Sequence, residues 1–210
     1  MAAALEGVRA APVHEVIVVD GGSRDATRAV AATLADRVLS APPGRACQMN
    51  TGAAAATGDV LLFLHADTAL PVGFDRAIAT ALEDSAVVGG RFDIRLVGAS
   101  PFLRVIAATI NVRSRLTGIA TGDQAIFVRR AVFVALGGYP EVPLLEDVRF
   151  TRALKRAGRI ACLRETVATS ARRWEQGGIA RTVALMWALR LGHALGVSPE
   201  RLHRFYRDVR

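Results

Sequence analysis

The strongest pattern along the chain is an unbroken apolar run that stops on an acid. Val16, Ile17, Val18 and Val19 lead into Asp20, and Gly21-Gly22 follow. An apolar, mostly β-branched run bounded by glycine predicts a buried strand over 16–20, too short for a stable helix. Ser23 is placed to cap the next helix, with Asp25 in its first turn. Ala26, Ala29, Val30, Thr33 and Leu34 then share one face at helical spacing. Val38-Leu39 read as a short strand, and Pro42-Pro43-Gly44 as a loop before a helix rich in small residues that ends at Gly58. "DVLLFLHAD" (59–67) is a second apolar strand ending on an acid, and a helix follows near residues 72–84.

The second half is less regular. "VVGGRFDIRL" (87–96) predicts a strand and residues 101–116 a helix. "GDQAIFVRR" (122–130) predicts a strand entering a helix that stops at Gly137-Gly138-Tyr139-Pro140. "LLEDVRFTRALKRAG" opens a helix with Glu146 and Asp147 near its start and Lys155 and Arg156 near its end, as the helix dipole prefers. Residues 179–195 form an apolar helix; a short basic one follows, with Ser198 as cap and Pro199 at its first position.

Strands alternating with helices predict an α/β fold with a mostly parallel sheet covered by helices. Ligands of such sheets bind at the carboxyl ends of the strands, which puts Asp20 and Asp67 on the working rim. The 210 residues suffice for one such domain. Cys47 and Cys162 have no metal-ligand or disulfide-framework spacing and fit a reducing cytoplasm. The net charge of +8 invites a nucleic-acid reading, but Lys155 is the only lysine. That is an arginine bias in an alanine-rich chain, so nucleic acid is not expected as a partner. The start has no signal-peptide core, and the most apolar stretch, 179–197, is broken by Arg181, Arg190 and His193.

The acids decide which chemistry fits. "VVDGGSRD" has neither a GxGxxG fingerprint nor a phosphate-binding Gly-Lys-Ser/Thr. A carboxylate there repels phosphate and suits a donor: a base N–H, a ribose hydroxyl or a metal. It also suits a plain turn before a helix. Asp67 adds a second acid, which fits a divalent cation held by one or two carboxylates and a substrate's phosphates. Glu146-Asp147 adds a third acidic point, placed to take a proton from an attacking hydroxyl.

Taken in order, "VVDGGSRDAT", "GRACQMNTGA", "LFLHADT", "GGRFDIRL", "GDQAIFVRR", "GGYPEVPLLEDVRFTRALKRAG" and "ARRW" resemble glycosyltransferase family 2 with its GT-A fold. The resemblance runs from about residue 14 to 210. It looks closest to a bacterial branch found beside radical-SAM/selenodomain proteins and linked to arsenosugar formation; carotenoid-ester glycosyltransferases are also similar. It implies a donor site at Asp20, Asp25, Arg45, Asn50, Arg172, Arg173 and Trp174, for a nucleotide-diphosphate sugar. It implies Mg2+ or Mn2+ at Asp67, an acceptor side at Asp123, Gln124 and Glu146, and Asp147 as general base of an inverting displacement onto a small-molecule or lipid-like acceptor.

Two departures from the family pattern stand out. The metal motif reads His65-Ala66-Asp67, with histidine for its first acid, and strand alternation predicts that His65 points into the core. The family's opening strand is absent from these residues, which begin at what resembles the end of the following helix. Such a chain is expected to show two exposed strand edges. The expected organisation is a transferase domain over 1–175 and C-terminal helices over 176–210. Between Ala171 and Arg210 eight arginines face three acids, which suits either a closing helix or peripheral contact with the inner face of the cell membrane. A non-catalytic nucleotide-sugar or membrane-binding module and a nucleotidyltransferase stay open as alternatives.

Overall fold

The computed structural model describes residues 1–209, with the backbone alone for Arg173, Ala194, Arg207, Asp208 and Val209. In chain order the elements begin α1 (Ala2–Arg9), β1 (Ile17–Asp20), α2 (Thr27–Leu34), β2 (Arg37–Ser40), α3 (Arg45–Ala55), β3 (Val60–Phe63), β4 (Thr68–Ala69) and α4 (Phe74–Glu83). They continue β5 (Val87–Val97), α5 (Phe102–Thr117), a 3-10 turn (Gly122–Gln124), β6 (Ile126–Arg129), α6 (Arg130–Ala135), α7 (Glu146–Ala157) and β7 (Arg159–Ser170). The chain closes with α8 (Arg172–Gln176), α9 (Ile179–Ala194) and α10 (Pro199–Val209).

These strands form two sheets. β1 and β2 pair in parallel, in register from Ile17–Arg37 to Asp20–Ser40. The larger sheet has the order β3-β6-β5-β7-β4. Its long β5–β7 ladder is parallel, whereas β3–β6, β5–β6 and β4–β7 are antiparallel. The α/β expectation holds, but the sheet is mixed rather than mostly parallel: three of the five ladders among the described residues are antiparallel. Among the described residues, β1 has no partner on its side away from β2, and β3 none on its side away from β6. Residues of β1 and β3 border one cleft.

Gly89 and Gly90 explain how β5 sits tightly between two neighbours. A Cβ at Gly89 would lie 2.5 Å from the Phe127 carbonyl oxygen, and one at Gly90 would collide with the Ala161 carbonyl and the Phe127 ring. Just beyond, the β5–β7 register shifts between Arg91 and Asp93. There the buried Arg91 pairs with Asp93 and donates to the Asn111 carbonyl. Arg115 also reaches Asp93, at 2.8 Å, and donates to the Cys162 carbonyl at 2.7 Å. The irregularity is thus occupied by ion pairs that tie α5 to both strands. Side-chain alternation splits the core. Phe92, Ile94, Phe127 and Val167 pack with Leu103 and Phe74 on one side. Leu61, Ile126 and Val128 pack with Phe133, Tyr139, Phe150 and Leu154 on the other.

Three local expectations are corrected, and one strand is added. β7 has no counterpart in the hydrophobic pattern, because Arg164, Glu165 and Thr166 interrupt it with exposed residues. The strand expected over 59–67 ends at Phe63; a turn closed by Thr68 N–H to the His65 carbonyl (3.0 Å) carries Asp67 instead. Ser23 caps nothing: α2 starts four residues later, and Asp25 accepts the Thr27 N–H at 3.0 Å. α9 packs against α10 rather than as a lid on the sheet. Leu189, Leu202 and Tyr206 form a separate cluster with Leu144 and Leu145.

Candidate active site

The cleft beside the two free edges has a volume of about 2090 Å³. That exceeds the roughly 300–1,000 Å³ of an ordinary small-ligand pocket and leaves room for two substrates. Arg45, His65, Asp67, Asp123, Glu146, Asp147, Arg172 and Trp174 all line it.

Its acidic wall is built from the start of α7 and the 3-10 turn. Asp147 Oδ2 accepts the Gly122 N–H at 2.8 Å and Oδ1 accepts its neighbour Val148 N–H at 2.7 Å. Despite these bonds its pKa is raised to about 6, first by burial and then by Glu146. Glu146 is buried and faces Arg45 across 3.8 Å. The 3-10 turn is fixed by a capping box between Thr121 and Gln124. Asp123 within it leaves Oδ1 buried with no partner.

Both non-glycine residues with positive φ flank this wall: Leu145 (φ 64°) precedes Glu146, and Ala125 (φ 48°) follows Gln124. Such conformations cost about 1–3 kcal/mol and persist where the surroundings impose them. Here the α9–α10 cluster grips Leu145, while Ala125 is fully buried. The C-terminal helices therefore brace the residue that aims Asp147.

His65 is a correction to its core assignment. It leaves strand geometry after β3 and lines the cleft, packed so closely on Gly122 that a Cβ there would stand 2.5 Å from Nε2. Burial lowers its pKa first and Arg45 next, against Asp123, Asp147 and Asp67.

The donor residues divide. Arg45, at the start of α3, and Arg172 and Trp174, on α8, reach the cleft; the Arg173 side chain lies outside the described residues. Asp20, Asp25 and Asn50 do not line it. The buried Asp20 carboxylate turns back to the Ser23 N–H at 3.1 Å and towards Arg28 at 3.7 Å. The Ser23 bonds are the main cause that lowers its pKa. Asp25 sits exposed at the start of α2. Both ends of the Asn50 amide are spent on Tyr139, donating to its carbonyl at 2.9 Å and accepting its N–H at 2.8 Å. Asn50 thus locks α3 to the loop before α7. Gln124 is fully buried and shapes the turn from behind, its amide donating to the Phe92 carbonyl.

The family model for glycosyl transferase family 2 matches residues 1–134. The chain belongs to this family. Several solved structures share its fold. A mannosyltransferase from Pyrobaculum calidifontis, in complex with GDP-Man and Mn2+, is 22% identical at a TM-score of 0.58, covering 79% of this chain and 51% of that one. TarS from S. aureus (residues 1–349) is 18% identical at 0.63, covering 87% and 60%. Glucosyl-3-phosphoglycerate synthase from Mycobacterium tuberculosis, in complex with Mn2+ and UDP-glucose, is 20% identical at 0.54, covering 79% and 65%. The chain spans about half the length of the first of these and three fifths of the second. No curated protein matches it. The architecture is that of the GT-A glycosyltransferases.

Within this family 2 site one residue escaped the sequence reading. Arg113 of α5 lines the cleft near Asp123 and Asp147. Its helix lies between the motifs that carry the family resemblance, so the sequence offers no signal for it. Among the described residues no group of three or more His, Cys, Asp or Glu is arranged to hold a metal ion. Asp67 is exposed on the rim and offers one hard carboxylate. That fits an ion whose other ligands are a diphosphate and water, and no standing protein cage.

Proposed function

We propose that this family 2 chain is an inverting glycosyltransferase, moving a sugar from a nucleoside-diphosphate sugar to an acceptor hydroxyl. The carrying observation is Asp147: a carboxylate in the cleft wall, oriented by two backbone N–H groups and poised near pH 6. A general base works best with a pKa near the working pH. In this reading the acceptor hydroxyl attacks the anomeric carbon as its proton passes to Asp147, and the nucleoside diphosphate leaves from the opposite face. One displacement inverts the anomeric centre. Arg45 and Arg172, on the cleft, offset the charge that grows on the leaving diphosphate. Asp67 is the residue that would hold Mg2+ or Mn2+, which when bound supplies further neutralisation of that charge. Asp20 keeps the β1–α2 loop in shape through the Ser23 N–H.

The structural neighbours described with GDP-Man or UDP-glucose and Mn2+ support a donor of this class and a divalent ion. The unpaired edges of β1 and β3 support the reading that the family's first strand is not contained in these residues. On α9, Trp187, Leu191 and, just beyond, Leu195 form an exposed apolar stripe, which supports membrane-surface contact. No described helix is long and apolar enough to cross a membrane. The test is a panel of nucleotide sugars with Mn2+, following nucleoside diphosphate release. Release from one donor, lost in Asp147→Asn, is the expected result. Pyrophosphate release from a nucleoside triphosphate and sugar phosphate, or binding without turnover, would overturn it.

A further inference from the structure

Arg113 has a position imposed on it and nothing to bond. Its helix cannot roll. The Asn111 side chain accepts the Ile94 N–H at 2.8 Å and donates to the Ile94 carbonyl at 3.0 Å. Arg91 donates to the Asn111 carbonyl, and Arg115 to the Cys162 carbonyl and Asp93. These bonds fix α5 against β5 and β7 and present Thr109, Ile110 and Arg113 to the cleft. There Arg113 Nε and Nη2 are closed off from solvent without a hydrogen-bond partner, and so is Asp123 Oδ1. Neither group forms an ion pair within 4.0 Å among the described residues. Most arginines around the same sheet are spent differently: Arg91, Arg115, Arg129 and Arg159 all donate to carbonyls or carboxylates of the fold.

A buried donor without a partner is costly, and a buried cation without one more so. A guanidinium is a planar fork matched to the paired oxygens of a carboxylate or phosphate. It is held on the side of Asp123 and Asp147, where a proton acceptor waits, while Arg45, Asp67 and Arg172 enter the cleft from other elements. We propose that Arg113 binds an anionic group, phosphate or carboxylate, on the acceptor, beside the hydroxyl that Asp147 deprotonates. Asp123 then accepts a hydrogen bond from a second hydroxyl of the same molecule. The proposal rests on the transferase reading, because that reading defines the acceptor.

The test pairs each anion with its neutral counterpart. Glycerol 3-phosphate and glycerol represent a water-soluble source; phosphatidylglycerol and diacylglycerol in detergent micelles represent a lipid headgroup. With the donor found in the panel, kcat/KM is expected to favour one of the two anions over its counterpart at least tenfold, and which of them does so tells the source. Arg113→Gln should reduce that ratio at least tenfold, Arg113→Lys should restore part of it, and the exposed Arg104→Gln should leave it as in the parent. Arg113→Met should raise Tm, since the charge it removes has no partner in the fold; a residue that served folding would lower it. Equal use of anion and neutral counterpart, or a ratio indifferent to Arg113→Gln, overturns the proposal while leaving the transferase reading intact. If no donor turns over, the transferase reading fails first. Calorimetry with glycerol 3-phosphate and inorganic phosphate then decides on its own. Binding lost in Arg113→Gln upholds an anion site at Arg113, and no binding, or equal binding, removes it.

Discussion

Asp147→Asn separates the cost of the candidate base from its use. The carboxyl titrates near 6 in the fold against 3.8 for an ordinary aspartate. Between those values the folded chain holds a proton that the unfolded chain has lost, so the group's contribution to stability falls as pH rises from about 4 to above 6. Each pH unit of the gap is worth about 1.36 kcal/mol, which gives an upper figure of about 3 kcal/mol. Asparagine is close in shape to the protonated acid and does not titrate. The two proteins should therefore be about equally stable near pH 4, and Asp147→Asn should pull ahead by up to about 3 kcal/mol at pH 8. For a domain of this size that is a Tm difference of about 6–12 °C. Urea melts of both proteins across this pH range measure it, and the difference cancels every other titrating group. Activity should move the other way: a rate limb with its midpoint near pH 6 in the parent, and a loss of about 10²–10⁴-fold in the variant. Parallel stability curves, or a limb near pH 4, would refute the claim that burial beside Glu146 poises this carboxylate.

Asp67→Ala should weaken Mn2+ binding about tenfold or more in the presence of the cognate nucleoside diphosphate, measured by calorimetry; without the diphosphate, parent and variant should both bind poorly, because one carboxylate makes no cage. Gly89→Ala should destabilise the fold by about 1–3 kcal/mol in urea melts, because its Cβ meets the Phe127 carbonyl and the Val128 backbone rather than a movable side chain. The parent should float with anionic liposomes in low salt and less at high salt, and Trp187→Ala with Leu191→Ala should sharply reduce flotation; equal flotation of the two proteins would remove α9 from the membrane reading.

The parts of the fold legible in the sequence are those with local causes. β1 was visible because β-branched residues end at paired glycines, and α7 because its acids and bases sit at the ends the dipole favours. β7 was not, because it gains its identity from β5. Its middle is exposed and charged, and pairing with β5 along most of its length, with β4 at its end, makes it a strand. The same division runs through the site. Asp147 was readable as an acid at a helix start, and its position in the chain pointed to base chemistry. Its elevated pKa was not readable, since it comes first from burial in the folded chain, then from Glu146 and Asp123, against the Gly122 and Val148 N–H groups that lower it.

Asp20 and Asn50 show a different relation. Each sits where the family resemblance implies a donor contact, and each also bonds within the chain, Asp20 to the Ser23 N–H and Asn50 to Tyr139 through both ends of its amide. A sequence motif records which residue is needed, not which atom it faces. Asn50 is needed because Tyr139 must be held, and Tyr139 fills the core beneath the loop that ends in Leu145. Asp20 is needed because the β1 backbone must turn at Gly22, whose φ of 98° is open to glycine. Unpartnered buried atoms also occur away from the cleft, at Arg91 Nε and Ser114 Oγ, so an unspent polar atom counts towards a ligand only where its residue lines the cleft. By that joint criterion Asp123 and Arg113, which carry weak motifs or none, have a claim on a ligand.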